Sequence, residues 1–107
     1  MKNYQDHIML NIADGSEMAA YVSKPGNSAT NLPAIILGQE AFGVNHHIRS
    51  VAARFAEEGY LVIAPELFHR TAPKGFEGDY TDFNTVAPHT KALTIEGIDA
   101  DLQACFQ

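Results

Sequence analysis

Glu40 is the residue whose surroundings most favour chemistry in this sequence. It follows the apolar run 33–37, which is typical of a buried parallel strand, and precedes Asn45, a residue suited to cap a helix. In open sheets with parallel strands, ligands bind in the crevice at the carboxyl ends of the strands. Backbone N–H groups of the turn over residues 41–43 can face a developing oxyanion there. Glu40 is therefore a candidate catalytic group, and its alternative role is a favourable interaction with the helix dipole.

Other reactive groups form no recognisable constellation. The sequence has no G-x-S-x-G or cysteine equivalent, no phosphate-binding glycine loop, no C-x-x-C and no H-E-x-x-H. Cys105 lies on the apolar face of the last predicted helix and is interpreted as a core residue. The adjacent His46 and His47 point about 100° apart on a helix and are poorly placed to share an ion. We expect no metal and no cofactor, and His69 remains a candidate acid–base group.

Aromatic residues are frequent in the segment 66–89, which has no periodic pattern. Long irregular segments often line binding sites. The sequence therefore predicts that Phe42, Phe68, Phe76 and Tyr80 bind substrate. Ordinary roles in the core or in loops stay open for all four.

The elements that must position these groups begin with a β-hairpin. Strands are predicted over His7–Ile12 and Met18–Val22, joined by the turn dipeptide Asp14-Gly15. The Pro-, Gly- and Ser-containing stretch 24–31 predicts a surface loop.

A strand–helix–strand unit follows the hairpin. The buried strands are predicted at Pro33–Leu37 and Tyr60–Ala64, with Gly59 ending the intervening helix. Strand, helix and strand with short connections form a βαβ unit, whose two strands are parallel and whose crossover should be right-handed. With the hairpin, this predicts an α/β fold with a mixed, mostly parallel sheet and flanking helices. The apolar face of the helix is predicted to consist of Ile48, Val51, Ala52, Phe55 and Ala56.

A last helix is predicted from Leu93 onward, with Ile95, Ile98, Leu102, Cys105 and Phe106 at helical spacing. No glycine, proline or cap follows before Gln107, so we expect this helix and the chain to continue. The second parallel strand is expected to leave an apolar edge, which must be paired by a C-terminal segment or by a second chain.

Composition excludes several classes of function. The chain has 107 residues and a formal net charge of -6, so no overall basic field attracts nucleic acid or anionic lipid. The single cysteine precludes an internal disulfide, and neither a secretory signal nor a membrane-spanning run is visible. A cytoplasmic protein acting on a small molecule is the expectation.

Several short motifs occur in an order that resembles the dienelactone hydrolase (carboxymethylenebutenolidase) family. That family shows a Q-E-x-F-G-x-N turn, an I-R helix start and a G-Y strand that ends in P-[DE]-L-[FY]-x-R. The matching segments of this sequence are Gln39–Asn45, Ile48-Arg49, Gly59-Tyr60 and Pro65–Arg70.

The resemblance implies that residues 1–107 form the N-terminal half of an α/β-hydrolase domain. Such an enzyme hydrolyses a small ester or lactone through a Cys or Ser, Asp, His triad, whose segments this sequence lacks. Glu40 matches the family glutamate that contacts the resting nucleophile. Ala41 matches the position whose amide contributes to the oxyanion hole, and Arg70 matches the motif arginine, a candidate substrate-binding residue. No arginine follows Arg70, where the family holds a substrate carboxylate with one, and a lysine such as Lys74 is not an equivalent bidentate donor.

Two other interpretations stay open at this point. The chain can be a non-catalytic fragment, or a complementing or swapped subunit that contributes a βαβ half to an assembly. A flavodoxin-like binding domain also begins with such units, although the phosphate-binding glycine loop is missing here.

Overall fold

The structure is a computed structural model that describes residues 4–26, 32–39 and 41–106. Four strands and three α-helices follow one another in these residues, with a short 3-10 helix at Phe83–Thr85. The strands are β1 (Tyr4–Asn11), β2 (Glu17–Lys24), β3 (Ala34–Ile36) and β4 (Leu61–Pro65), and the helices are α1 (His46–Glu57), α2 (Ala87–Lys91) and α3 (Ile95–Ala104).

The predicted hairpin is confirmed, and both of its strands are longer than predicted. β1 and β2 pair antiparallel over eight residues each, with Ile8 opposite Ala20. At the turn, Gly15 has a φ of +92°, a conformation that costs glycine little. The Asp14 carboxylate accepts hydrogen bonds from the backbone N–H and the hydroxyl of Ser16, at 2.9 and 2.6 Å. The turn is therefore fixed by its own side chains.

The sheet has the order β1-β2-β4-β3, which corrects the predicted edge. β4 pairs antiparallel with β2 and parallel with β3, so it lies inside the sheet. The chain crosses over α1 back toward the hairpin, and β3 becomes the outer strand. In the described part of the chain the two edge strands are β1 and β3, so the parallel strand at an edge is the first strand of the βαβ unit and not the second.

Helix α1 covers one face of the sheet, as its pattern predicts. Asn45 caps its start by accepting a hydrogen bond from the backbone N–H of Ile48 at 3.1 Å. Phe55 is an exception to the predicted face, because 38% of its surface is exposed. The core on this side of the sheet is formed by Tyr21, Val44, Ile48, Ala52, Val62 and Ala64.

Helix α3 covers the opposite face, and its buried side agrees only in part with the predicted one. Ile95 and Phe106 are 86% and 74% exposed, whereas Ala104 and Cys105 pack in the core beside Met18. The helix ends at Ala104 and a turn follows at Cys105 and Phe106, so the prediction that the helix continues was wrong. Hydrophobic spacing located the helix, but its actual buried face uses smaller side chains that allow close approach to the sheet.

The segment between β4 and α3 is a compact unit over the carboxyl end of the sheet. It contains turns, the 3-10 helix and α2, so it is less irregular than predicted. Val86 is fully buried in its centre, packed with Phe68 and Ala72. This third core cluster places the segment directly against the turn that follows β3.

Candidate functional site

The candidate site is the turn between β3 and α1, at the carboxyl end of the sheet. Glu40 lies outside the described residues. Ala41 is exposed in the turn, and Gly43 next to it has a φ of +97°. A Cβ atom on Gly43 would lie 2.7 Å from the carbonyl oxygen of Phe76. Both conformation and space therefore require glycine at position 43.

Backbone and side-chain hydrogen bonds hold this turn against the segment after β4. The Gln39 side-chain oxygen accepts from the backbone N–H of Leu67 at 2.8 Å. The carbonyl of Phe42 accepts from the N–H of Gly78, also at 2.8 Å, and Gly43 forms a single antiparallel bridge with Glu77. These contacts hold the turn against the segment after β4 on both sides.

Phe42 and Tyr80 form an aromatic wall beside the turn. Their ring centroids are 4.6 Å apart, and Phe83 lies 6.4 Å from Phe42 in an edge-to-face arrangement. Asn45 donates a hydrogen bond from its side chain to the Tyr80 hydroxyl at 2.6 Å, while 61% of Tyr80 remains exposed. The structure thus brings two of the predicted substrate-binding residues together next to Ala41. The aromatic wall, Phe42, Tyr80 and Phe83, presents apolar surface beside the turn.

Phe68 and Phe76 lie deeper than Phe42 and Tyr80. Phe68 is 4% exposed and contacts Phe76 edge to face at 6.2 Å. The ring of His89 packs against both, with centroids 5.6 Å from Phe68 and 4.7 Å from Phe76. Phe68 is a core residue under the site, and Phe76 supports Gly43 through its backbone carbonyl.

Arg70 forms ion pairs with two carboxylates of its own chain, those of Asp14 and Asp101. Its Nη1 and Nη2 atoms bind the two oxygens of Asp101 at 3.1 and 2.9 Å, and its Nε binds Asp14 at 2.8 Å. The hydrogen bond to Asp101 raises the pKa of Arg70 further, against a partial desolvation. Hydrogen bonds from Ser16 and then from Arg70 hold the pKa of Asp14 well below its usual range. A guanidinium paired in this way has little capacity left for a substrate carboxylate.

The pairing of Asp101 with His69 was not predicted from the sequence. Asp101 is fully buried, and its Oδ1 lies 3.0 Å from Nε2 of His69. A signal was present, since Asp101 stands three residues after Ile98 and four before Cys105, on an apolar face. A charged residue at such a position predicts a buried partner, although spacing alone does not name it.

The remaining features considered in the sequence are Cys105, a metal site and a membrane-spanning segment. Cys105 is buried, as predicted, and burial followed by the charge of Asp101 raises the pKa of its thiol. Among residues 4–26, 32–39 and 41–106, no three His, Cys, Asp or Glu side chains are grouped to hold a metal. No helix in those same ranges has the length and apolar character to span a bilayer.

Residues 18–107 match the model of the dienelactone hydrolase family. A protein of Escherichia coli K12, provisionally named a carboxymethylenebutenolidase, is 40% identical over 92 residues, which are 86% of this chain and 32% of that protein. A Synechocystis protein with the same provisional name is 48% identical over 65 residues, 61% of this chain and 26% of its own. A crystal structure provisionally named as a dienelactone hydrolase of Klebsiella pneumoniae superposes with a TM-score of 0.78 at 33% identity. It covers 98% of this chain, which corresponds to 42% of that one.

Proposed function

The chain belongs to the dienelactone hydrolase family, and we propose that its complete protein hydrolyses a small carboxylic ester or lactone by nucleophilic acyl transfer. The chain spans about a third of the length of the curated relatives it matches. In the proposed reaction a Cys or Ser attacks the carbonyl carbon, a tetrahedral oxyanion forms, and the alcohol leaves with a proton. Water then hydrolyses the acyl-enzyme to the acid and restores the nucleophile.

The observation that carries this proposal is the restrained turn at residues 41–43. It lies between the carboxyl end of β3 and the first turn of α1, and it is held by the Gln39–Leu67 and Phe42–Gly78 hydrogen bonds. Amides that are fixed before the reaction stabilise a developing negative charge without reorganisation. We assign the N–H of Ala41 as one oxyanion donor, and the second would come from the nucleophile's own segment.

Glu40 is proposed as the acid–base partner of the resting nucleophile. Its place in the sequence, directly before Ala41, puts it in the family motif Gln39–Asn45. A carboxylate beside a thiol or hydroxyl can hold its proton until substrate binds. The nucleophile, the Asp and the His of the triad are proposed to lie in a part of the protein that these 107 residues do not include, so the chain by itself is expected to be inactive.

The substrate is proposed to be uncharged near the reacting carbonyl. The aromatic wall offers apolar surface beside the turn, whereas Arg70 is occupied by Asp14 and Asp101. Arg49, beside the turn, is paired with Glu77 at 3.3 Å, and Lys74 is exposed. An aryl or alkyl ester suits this setting better than a substrate with its own carboxylate.

A further strand of the complete protein is proposed to pair with β3. In the described residues β3 pairs on one side, with β4, and its Ile35 and Ile36 are only partly buried. An open apolar edge is an aggregation hazard unless something covers it. A strand that carries the nucleophile would cover this edge and reach the turn at the same end of the sheet.

The test uses the complete protein and an activated aryl ester such as p-nitrophenyl acetate. Glu40→Gln is expected to lower kcat at least tenfold, because the resting nucleophile loses its proton partner. The matched control is Glu57→Gln, which changes an exposed glutamate at the end of α1 and should leave kcat unchanged. Equal kcat for Glu40→Gln and the parent would remove Glu40 from the mechanism, and no ester hydrolysis by the parent would refute the proposed activity.

A further inference from the structure

The His69 ring is hydrogen-bonded to Asp101 through Nε2, and its other nitrogen, Nδ1, has no partner among the described residues. Its side chain is 5% exposed, and its Nε2 lies 3.0 Å from Oδ1 of Asp101. Its Nδ1 is buried and has no hydrogen-bond partner in the part of the chain that the structure describes. Buried polar atoms without a partner are rare in folded proteins, and they usually mark a bound water or ligand.

The proton positions of this cluster follow from its hydrogen bonds. A guanidinium has donors only, and Arg70 uses two of them on the two oxygens of Asp101. Both oxygens must therefore act as acceptors, and Nε2 of His69 must donate its proton to Oδ1. In the neutral ring this leaves Nδ1 as a bare acceptor. The molecule that meets Nδ1 must then be a hydrogen-bond donor.

The side chain of His69 lines a small cavity. The cavity lies behind the candidate oxyanion turn, and its lining combines three polar residues, His69, Gln39 and Glu66, with apolar side chains that include Val44, Phe68 and Phe76. It offers about 10 Å³ to the centre of a water-sized sphere. That is about the space one water molecule needs, and it is too little for a substrate group.

Glu66 gives the lining a second acceptor. The residue is 8% exposed, and its Oε1 accepts from the backbone N–H of Gly75 at 2.9 Å. A carboxylate retains further lone pairs beyond one such bond. A cavity with two acceptors, Nδ1 of His69 and the Glu66 carboxylate, matches a water molecule that donates both of its protons.

We propose that this cavity is a binding site for one internal water, which donates to His69 Nδ1 and to Glu66 behind the Gly43 turn. Both acceptors belong to the segment after β4, and Gln39 and Gly43 form the opposite wall. The water fills the space between the turn and its support and keeps the turn from collapsing inward. This site does not depend on the hydrolytic activity, and it remains if the substrate class proposed above is wrong.

The test is nuclear magnetic resonance on the complete protein with ¹⁵N-labelled histidine. At neutral pH, two-bond correlations should show His69 protonated at Nε2 and bare at Nδ1. Water-selective exchange spectra should show a long-lived water at the methyl groups of Val44 and Ala72. A proton on Nδ1, or no such water at either methyl, would overturn the proposal.

Two variants separate the site from general packing. His69→Gln keeps a donor toward Asp101 and an acceptor toward the cavity, so the water signals at Val44 and Ala72 should persist. His69→Phe should abolish them, and His47→Phe, on an exposed part of α1, should not. If His69→Phe does not fold, His69→Gln and the unmodified protein still decide: water signals lost in His69→Gln count against the site. Signals retained in a folded His69→Phe would do the same.

Discussion

Substitution of Gly43 by alanine is the sharpest test of how the turn is held. The change imposes two costs, because Gly43 has a φ of +97° and its added Cβ would lie 2.7 Å from the Phe76 carbonyl oxygen. The left-handed conformation costs a residue with a Cβ about 1–2 kcal/mol. Crowding against backbone adds about 1–3 kcal/mol, since the Phe76 carbonyl cannot rotate away as a side chain can. The free energy of unfolding should fall by about 2–5 kcal/mol in total.

Two other glycines separate these costs. Gly15 has a φ of +92° but nothing within 4 Å of a Cβ, so Gly15→Ala should show the conformational cost alone. Gly78 has no positive φ, yet its Cβ would lie 2.3 Å from a methyl of Val86, so Gly78→Ala should show crowding alone.

The assay is urea unfolding of the complete protein, with ester turnover measured on the same samples. Gly43→Ala should be less stable than either of the other two variants. It should also lower kcat in the molecules that remain folded, because the adjoining amides move. The reasoning is refuted if Gly43→Ala is no less stable than Gly15→Ala, since the contact with Phe76 would then have no energetic weight.

Three further predictions concern the buried carboxylate and its surroundings. Asp101→Asn should lower the free energy of unfolding by about 2–3 kcal/mol in thermal unfolding, which is less than the loss expected for a fully buried ion pair because Arg70 is partly exposed. The control Asp99→Asn, on the exposed side of α3, should have little effect, and equal losses in the two variants would contradict the role of Asp101. Cys105 should react slowly with an aromatic disulfide reagent at pH 8 and rapidly after unfolding, because burial raises the pKa of its thiol. Fast reaction of the native protein would contradict the buried position of Cys105. The pKa of Asp14 is lower in the folded state than in the unfolded state, so its ionised carboxylate stabilises the fold fully above the unfolded pKa of about 3.9. This contribution is lost as pH falls toward the folded pKa, so the Tm difference between the parent and Asp14→Asn should shrink below about pH 4.

Local patterns were sufficient to predict most of the fold. The Asp14-Gly15 turn, the Asn45 cap and the apolar spacing from Ile48 to Ala56 each depend on residues close in sequence. These patterns report which face of an element is buried, and they located the hairpin, α1 and β4 to within a few residues. The resemblance to the family then indicated the site region from the motif at Gln39–Asn45.

Long-range choices were beyond the same patterns. A buried strand has apolar residues on both faces, so its sequence does not say which neighbours it pairs with, and β3 was not expected at the edge. Likewise, Arg70 and Asp101 are 31 residues apart, and only the packing of α3 across the sheet brings them together. The exposure of Ile95 and Phe106 also depends on that packing, because a helix can turn a narrower face of small side chains toward a sheet.

The ion-paired cluster of Asp14, Arg70 and Asp101 also bears on the order of folding events. It joins the hairpin tip at Asp14, the exit of β4 and the middle of α3, which are segments far apart along the chain. Contacts of such sequence separation form only after long loops have closed, which costs conformational entropy. We expect them to form late in folding, so removing the cluster should leave the refolding rate nearly unchanged and accelerate unfolding. On that basis the Asp14–Arg70–Asp101 connection governs how long the native state persists more than how quickly it is reached.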